Sequence, residues 1–415
     1  MSRKGLSNLL AIAFGFSILM ASSGCVTSTQ TLSANTDRPY DYESSLLHPR
    51  AVIVPFDQDS ADVYLEVKRS ECLYLRESPQ APFVSALVWN LGSTVFQWND
   101  TLASYAPEWE RRSVRLSWGD LFLENNSTNQ INLELHDVLR KTSSKVNVLI
   151  SDPQSNRVVF NTIGWPYSGE HAVAGDTVFF QAPAGSLWSH ASIPVTATMP
   201  SPPFSFIKDR SDTLQPILRA TILANDQGWV SYVVDEGVNV ILDAIDSRNI
   251  VQRIHGTKLP YDQVRDLRLM IQSSRYITTR SEFEQMMGSA DPKAALDAFW
   301  LNCANEKDRG SQLISTYYGR VEEANLFFSG VLPGWRTDRG MVHIVFGIPQ
   351  KIRKSRDSEW WIYGEEGSLN AVTFRFLRTD HPWDNNFYTL GRNIQYRMPW
   401  DRMVTNWRNG RISPD

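Results

Sequence analysis

The stretch PGWRTDRGMVHIVFGIPQ, residues 333–350, surrounds one apolar run with a tryptophan, a Thr-Asp pair and three glycines. Glycine tolerates the positive φ angle that many tight turns require, so Gly334 predicts a turn directly after a proline. The large ring of Trp335 is expected to be buried beneath this turn. Thr337 and Asp338 carry short polar side chains that accept hydrogen bonds from nearby backbone N–H groups. The stretch therefore predicts a tightly hydrogen-bonded loop.

The apolar run that follows, residues 341–346, predicts a β-strand. Gly340 leads into this strand, and Gly347 and Pro349 end it. We therefore predict a structural role for eight residues of the motif, which are Gly334, Trp335, Thr337, Asp338, Arg339, Gly340, Gly347 and Pro349.

A functional alternative for the same motif is a small charged site. Arg336, Asp338 and Arg339 place two positive side chains and one negative side chain within four positions, which suits a receptor for an anion or a carboxylate. No nucleophilic or acid–base group is assigned to this arrangement, so it supplies no reaction. The structural interpretation is the one we prefer.

The motif resembles the signature of the GWxTD family, which is named after residues equivalent to Gly334, Trp335, Thr337 and Asp338. Four further segments also resemble the family's pattern, and these are 299–300, 317–325, 360–363 and 400–412. The resemblance covers roughly residues 280–412, about a third of the chain. It implies a bacterial envelope lipoprotein of the type found mostly in Bacteroidota. The family has no established activity, so the resemblance implies no catalytic residue.

The first 25 residues predict the compartment. Basic residues precede the apolar stretch 9–21, and the small residues 22–24 then lead to Cys25. This order is similar to the lipobox of bacterial lipoproteins, which implies a signal peptide over residues 1–24 and a lipid, palmitate included, on Cys25. An uncleaved anchor would need about 20 apolar residues. We expect residues 25–48 to form a flexible tether and the protein to lie on the outer membrane, facing the periplasm.

Composition excludes several classes of function. The chain has 41 Lys and Arg against 45 Asp and Glu, and no basic cluster, so it has no electrostatic footprint for nucleic acid. Seven scattered histidines without metal-ligand spacing predict no metal site, and no motif predicts a cofactor. Cys72 and Cys303 lie in segments that look like separate domains, so we predict two buried free thiols.

Hydrophobic periodicity divides the chain into three regions. Residues 49–165 alternate apolar and polar positions over short stretches, as in 62–67, which predicts a β-sandwich-like domain. Residues 166–258 predict a second β-rich domain. From residue 276 to residue 415 the pattern predicts an α+β domain, with helices first and an antiparallel meander afterwards.

Two helix starts are predicted in this last region. Ser281 and Glu284 have the spacing of a capping box. Asp291 is expected to cap the next helix, with Pro292 at its first position.

These features favour a non-enzymatic interaction or scaffold protein of the envelope, bound to the membrane by its lipid and to a protein partner by its domains. A hydrolase acting on glycans is an alternative, since Asp357/Glu359 and Glu365/Glu366 are paired carboxylates. A glycan-binding protein is a third hypothesis, with Trp383 and one member of Trp360/Trp361 exposed, because successive side chains of a strand alternate.

Two further sets of surface residues are predicted. The candidate contact surface consists of Trp360, Trp361, Arg336 and Arg339. Four Asp-Ser/Thr-apolar triplets are candidate O-glycosylation sites, at Ser60, Thr101, Thr177 and Thr213.

Overall fold

The computed structural model describes residues 47–76, 83–91, 94–101, 109–122, 130–149, 158–167, 171–194, 199–206, 216–244, 250–257, 264–304, 307–355, 357–365, 367–368, 371–381, 384 and 386–412. Antiparallel sheets dominate the N-terminal part, and helices followed by a strand-rich end form the C-terminal part. The predicted fold class is confirmed.

The first β region is a pair of packed sheets. Its described elements are β1 (Arg50–Pro55), β2 (Ser60–Lys68), β3 (Leu75–Arg76), β4 (Phe83–Leu91), β5 (Thr94–Thr101), β6 (Trp109–Ser117), the short helix α1 (Trp118–Phe122), β7 (Gln130–Asp137) and β8 (Thr142–Leu149). One sheet has the order β1-β2-β6, and the other has the order β3-β4-β7-β8 with β5 also paired to β4. Val63, Leu65 and Val67 are fully buried with Trp89 of the second sheet, because every second residue of β2 faces the core.

The second β region also has two sheets. Its described strands are β9 (Val159–Phe160), β10 (His171–Val173), β11 (Thr177–Gln181), β12 (Leu187–Ile193), β13 (Ile217–Leu223), β14 (Trp229–Val233), β15 (Gly237–Asp243) and β16 (Ile250–Thr257). The larger sheet has the order β10-β16-β15-β12-β13, and the smaller has the order β14-β11-β9. Val178, Phe180 and Val230 of the smaller sheet meet Trp188 and Ile241 of the larger one in a common core.

Strand β12 has no clear strand pattern in the sequence. The interior of β12 includes His190, whose ring nitrogen lies 2.9 Å from the side-chain oxygen of Asn239 on β15. A polar side chain that is paired with a neighbouring strand satisfies burial without producing an apolar pattern. The strand therefore has too little hydrophobic alternation to be recognised.

The C-terminal part combines helices with a four-stranded antiparallel sheet. Its described elements are α2 (Leu267–Ser273), α3 (Arg280–Gly288), α4 (Pro292–Ala304), α5 (Lys307–Phe328), α6 (Asp338–Phe346), β17 (Lys351–Lys354), β18 (Ser358–Tyr363), β19 (Val372–Arg378), β20 (Tyr388–Leu390) and α7 (Arg397–Arg408). The sheet has the order β17-β18-β19-β20. Trp300, Tyr317, Trp361, Phe374 and Trp407 come from five of these elements and lie in one large aromatic core.

The predicted strand over residues 341–346 is wrong, because these residues belong to helix α6. Every residue from Arg339 to Val345 is buried, so the run is apolar on all sides and its periodicity does not separate helix from strand. The ends decide the structure. The Thr337 side chain accepts from Gly340 N at the start, and Gly347 ends the helix with a φ of 79°.

Of the two predicted helix starts, one is confirmed. The Asp291 carboxylate accepts a hydrogen bond of 3.0 Å from Ala294 N at the start of α4. The capping box of α3 is formed by Thr279 and Glu282, so its assignment to Ser281 and Glu284 was wrong by two positions. Both pairs have the same spacing and chemistry, and sequence alone does not distinguish them.

Glu282 also links α3 to the last helix, which predicts a pH effect. Hydrogen bonds from Arg408 to its carboxylate, at 2.8 Å each, lower its pKa from 4.5 to about 2. A carboxylate whose pKa is lower in the folded state stabilises that state above pH 4.5, and the stabilisation is lost as the pH falls towards 2. We expect Glu282→Gln, which retains the cap, to flatten the dependence of the unfolding midpoint on pH in this window. An equal slope in wild type and variant would contradict this assignment.

The remaining described features bear on compartment and reactivity. None of the described helices is long and apolar enough to cross a membrane. Cys72 and Cys303 are buried free thiols, as predicted. Burial raises the pKa of Cys72 to about 12 and that of Cys303 to about 11, so both stay protonated.

Candidate functional site

The motif loop begins with a short 3-10 turn, Gly334–Arg336. Gly334 does not have the positive φ that the sequence suggested. Its requirement is a close approach instead, since a Cβ added here would come within 3.0 Å of the Ala324 carbonyl oxygen on α5. Its N–H donates to Ser329 Oγ at 2.8 Å. The loop thus lies directly on the backbone of α5.

Trp335 is buried by α5 and by the segment that follows α2. Its N–H donates to Asn325 Oδ1 at 3.2 Å, and its carbonyl oxygen accepts from the Tyr276 hydroxyl at 2.6 Å. The guanidinium of Arg336 lies 4.7 Å from the centre of the Trp335 ring. Burial raises the pKa of Tyr276 well above its usual value, so this hydroxyl remains a donor. The predicted burial of Trp335 is confirmed.

Thr337 forms hydrogen bonds within the motif, whereas Asp338 forms hydrogen bonds to a distant part of the chain. Thr337 Oγ1 accepts from Gly340 N at 3.0 Å and donates to the Gly334 carbonyl at 2.8 Å, which is the local role predicted for it. The Asp338 carboxylate instead reaches the distant segment after β19, and accepts from Leu390 N at 2.7 Å. These contacts of Asp338 are long-range, whereas the sequence analysis predicted a local role for it.

Asp338 holds Arg392, which in turn holds the proline-rich segment 199–204, between β12 and β13 in the chain. Arg392 donates to Asp338 Oδ1 from both terminal nitrogens, at 3.1 Å and 3.0 Å. Arg392 Nη2 also donates to the Ser201 carbonyl at 3.0 Å, and Asn393 N donates to Pro203 O at 3.1 Å. A bidentate Arg–carboxylate pair is geometrically specific, so this chain of contacts fixes the proline-rich segment on the C-terminal part of the chain.

Arg339 is buried at 4 % exposure in a cage of polar and aromatic groups. Nη1 lies 3.5 Å from Glu359 Oε1, and Nη2 donates to the backbone oxygen of Asn386 at 2.9 Å and also to its side chain. The guanidinium lies 4.0 Å from the centre of the Tyr388 ring and 5.1 Å from that of Phe328. A buried guanidinium so enclosed is not available to an external anion.

Residues 241–409 match the family model of the GWxTD domain. The chain carries a GWxTD domain. The match begins at residue 241 in β15, so it includes the last three residues of that strand and the whole of β16 in the larger sheet. Val238, Val240 and Leu242 of β15 lie in one buried cluster with Val331, which precedes the motif, so the larger sheet packs against the helical part of the chain. No curated protein matches the chain.

The contact surface predicted for the GWxTD domain is only partly at the surface. Trp361 is 0 % exposed, and its Nε1 donates to Glu359 Oε2 at 3.1 Å, so the prediction for Trp361 is wrong. It is also wrong for Arg339, which is buried. Arg336 and Trp360 are half-buried. The alternation predicted for the two tryptophans therefore turns Trp360 outward.

The charged-receptor alternative for the motif is not supported by the contacts of its three members. Arg336 Nη2 donates to Gln272 at 3.4 Å, whereas Asp338 pairs with Arg392 and Arg339 with Glu359. Each charge is held by a different internal partner.

Of the carboxylate pairs in the hydrolase hypothesis, the structure places Asp357 and Glu359 in different surroundings. Glu359 is buried against Arg339, while Asp357 is exposed. Glu365 is exposed in the turn after β18. Glu366 and Trp383 lie outside the described residues.

The predicted modification sites are distributed over the chain. Ser60 Oγ donates to Asp57 Oδ1 at 2.8 Å at the start of β2, and Thr177 begins β11. Thr101 is the last residue of β5, and its side chain lies outside the described part of the structure, as do Thr213 and Cys25.

Sequence analysis missed a His–carboxylate pair in the GWxTD domain. His343 Nε2 on α6 lies 2.8 Å from Glu323 Oε2 on α5. Burial alone would raise the pKa of Glu323, but the hydrogen bond and charge of His343, with the charges of His48 and Arg320, lower it. The His343 side chain is fully enclosed, with its ring 5.7 Å from that of Phe328. The twenty-residue separation of the pair left no signal in the sequence.

Metal binding has no assembled site in the described ranges. Within them, no three His, Cys, Asp or Glu side chains lie close enough together to hold a metal ion.

Proposed function

We propose that this protein is a lipid-anchored envelope protein, attached through Cys25, that acts as a non-enzymatic interaction or scaffold protein. The proposal is supported by the order of the N-terminal residues and by the contacts of the GWxTD motif. Each polar group of the motif described above is used inside the fold. The motif connects α5, the end of the sheet and the proline-rich segment through internal contacts. Binding to partners therefore takes place on other surfaces.

The observation that carries the proposal is an apolar edge on the second β region. Strand β13 is the last in the order of its sheet, and Leu218 and Leu223 on it are 64 % and 63 % exposed. Ile217 is also exposed, and so is Leu187, which lies directly opposite Leu223 on β12. We call these four residues, Leu187, Ile217, Leu218 and Leu223, the β13 edge.

The β13 edge lies beside β14, the edge strand of the smaller sheet. Arg219 Nε lies 2.8 Å from Asp235 Oδ2, just after β14, so β13 runs along the edge strand of the smaller sheet. Val233 of β14 is exposed as well. Natural proteins usually blunt such edges with charge, because backbone groups and apolar side chains together invite strand pairing. We infer that this edge accepts an extended apolar segment of a protein partner, by addition of a strand.

A crosslinking pull-down of the intact protein from membranes tests this proposal. We expect Leu218→Glu/Leu223→Glu to lose the partner that wild type captures, because two charges would be placed in the contact. Ile163→Glu is the matched control, since Ile163 is exposed in a turn of the same region, next to β9 at the far end of the smaller sheet. The control should retain the partner. Capture by both variants, or by neither, would contradict docking at the β13 edge.

The membrane anchor is examined in the same fractionation. Cys25→Ser removes the acylated thiol, and we expect this variant to leave the membrane fraction while retaining the β13 edge. A variant that stays in the membrane fraction would contradict lipid anchoring without affecting the docking result.

A further inference from the structure

The sheet of the GWxTD domain has an outer face that turns away from the aromatic core. The pairing register places Arg353, Trp360 and Arg375 side by side on β17, β18 and β19. Because side chains alternate along a strand, Trp361 and Phe374 face the core and this row faces outward. We call the described residues of this side the outer sheet face, and they are Lys351, Arg353, Ser358, Trp360, Ile362, Thr373, Arg375, Leu377 and Thr389.

The outer sheet face carries one sign of charge. Lys351, Arg353 and Arg375 are exposed on it, and no acidic side chain is found among its described residues. The carboxylate of Glu359 belongs to the same strand as Trp360, but it points inward and pairs with Arg339. A chain with a net charge of −4 therefore gathers cations on this side of the sheet. Such a face is complementary to an anionic partner.

Trp360 and Arg375 form the centre of the row. The guanidinium carbon of Arg375 lies 5.4 Å from the centre of the Trp360 ring. A guanidinium stacked on an aromatic ring keeps its edge N–H groups for bidentate contact with a carboxylate. The half-buried indole adds a flat apolar surface, and the exposed hydroxyl group of Thr373 follows on the same strand as Arg375. Directly paired residues lie about 5 Å apart, so three recognition groups span roughly 10 Å.

The geometry points to a binding site for an acidic polysaccharide on the outer sheet face. Uronate carboxylates are held by Arg353 and Arg375, a sugar ring packs on Trp360, and a sugar hydroxyl bonds to Thr373. Ile362 on this face is buried, and Leu377 is the one large apolar side chain among its described residues that is exposed, so the face offers little apolar surface for insertion into a bilayer. Single-stranded nucleic acid stacks on successive aromatic rings, whereas the described row offers one. This site is independent of the β13 edge.

Binding of the intact protein in detergent to polygalacturonate tests the inference. We expect binding at low salt that weakens as ionic strength rises, and at least a tenfold loss of affinity in Arg375→Gln. Trp360→Ala should also weaken binding, and Trp360→Phe should restore part of it. Arg375 is exposed, so the Arg375→Gln variant should keep the wild-type unfolding midpoint. If Trp360→Ala is unstable, the affinity of Arg375→Gln decides the test.

The matched control is Arg115→Gln in the first β region. The guanidinium of Arg115 lies 3.3 Å from the centre of the Phe56 ring, which is the same kind of cation–aromatic pair at another place. It should bind polygalacturonate as wild type does. Equal losses in both arginine variants, or equal binding of neutral dextran, would overturn the inference. Binding to phosphatidylglycerol vesicles or to single-stranded DNA without binding to polygalacturonate would overturn it in favour of those anions.

Discussion

Gly334→Ala should unfold the GWxTD domain under conditions in which wild type is stable. The added Cβ would lie closer to the Ala324 carbonyl oxygen and to Asn325 than real Cβ atoms lie to any backbone atom. Neither neighbour is the flexible end of a side chain, so α5 and the motif loop must separate. Overpacking of this kind costs about 3 kcal/mol or more in the free energy of unfolding. Denaturant unfolding, followed by tryptophan fluorescence, measures the loss.

Gly319→Ala is the control for this prediction. Gly319 lies within α5, and a Cβ added there meets nothing within 4 Å. Alanine in a helix interior is favoured over glycine by roughly 0.5–1 kcal/mol, so this variant should be slightly more stable than wild type. If Gly334→Ala were as stable as Gly319→Ala, the close contact between motif and α5 would be wrong.

Arg339→Met should be the second severe change. It removes the charge that faces Glu359 and leaves this buried carboxylate without its cationic partner. Loss of one member of a buried ion pair costs about 3–5 kcal/mol. The double variant Arg339→Met/Glu359→Gln should recover part of this loss, because the second change removes the stranded charge. A double-mutant cycle in denaturant measures the recovery.

Arg280→Met is the surface control for Arg339. Arg280 pairs with Glu284 at 2.7 Å, and both side chains are largely exposed. Exposed ion pairs contribute little, so the unfolding midpoint should be unchanged. Additive effects in the Arg339/Glu359 cycle would show that the two residues do not interact and would contradict the buried pair.

Together these variants address what the GWxTD motif does. Gly334 and Trp335 fix the loop on α5, Thr337 starts α6, and Asp338 reaches Arg392 and, through it, the proline-rich segment. All four residues of the signature have a role in packing. The signature is therefore expected to report a shared architecture, and chemistry specific to this chain is expected on its outer surfaces.

Local patterns predicted a large part of the fold. The alternating stretch 62–67 lies in β2, where Val63, Leu65 and Val67 are buried as the alternation requires. The cap at Asp291 was also recognisable, since it depends on residues within one turn. The helix α6 was not recognisable from the sequence, because a run that is buried on every side shows no helical periodicity.

The candidate sites were less accessible to sequence reasoning. Alternation predicted that one of two adjacent tryptophans faces outward, but it did not indicate which one. The choice follows from the aromatic core, where Trp361 lies 4.8 Å from Phe376 and 5.3 Å from Phe328, measured between ring centres. The apolar β13 edge was invisible for a similar reason, since an apolar strand is ordinarily buried.

The sequence by itself determined the β-rich beginning, the helix-containing end and the buried thiols, all of which depend on composition or on neighbours along the chain. The tertiary structure alone decided that Asp338 meets Arg392, that Arg339 meets Glu359 and that Arg375 stacks on Trp360. These pairs are separated by 15 to 54 residues, and each side chain alone suits many partners. Their choice depends on which surfaces the folded core brings together, because charge and shape select a partner only at contact distance.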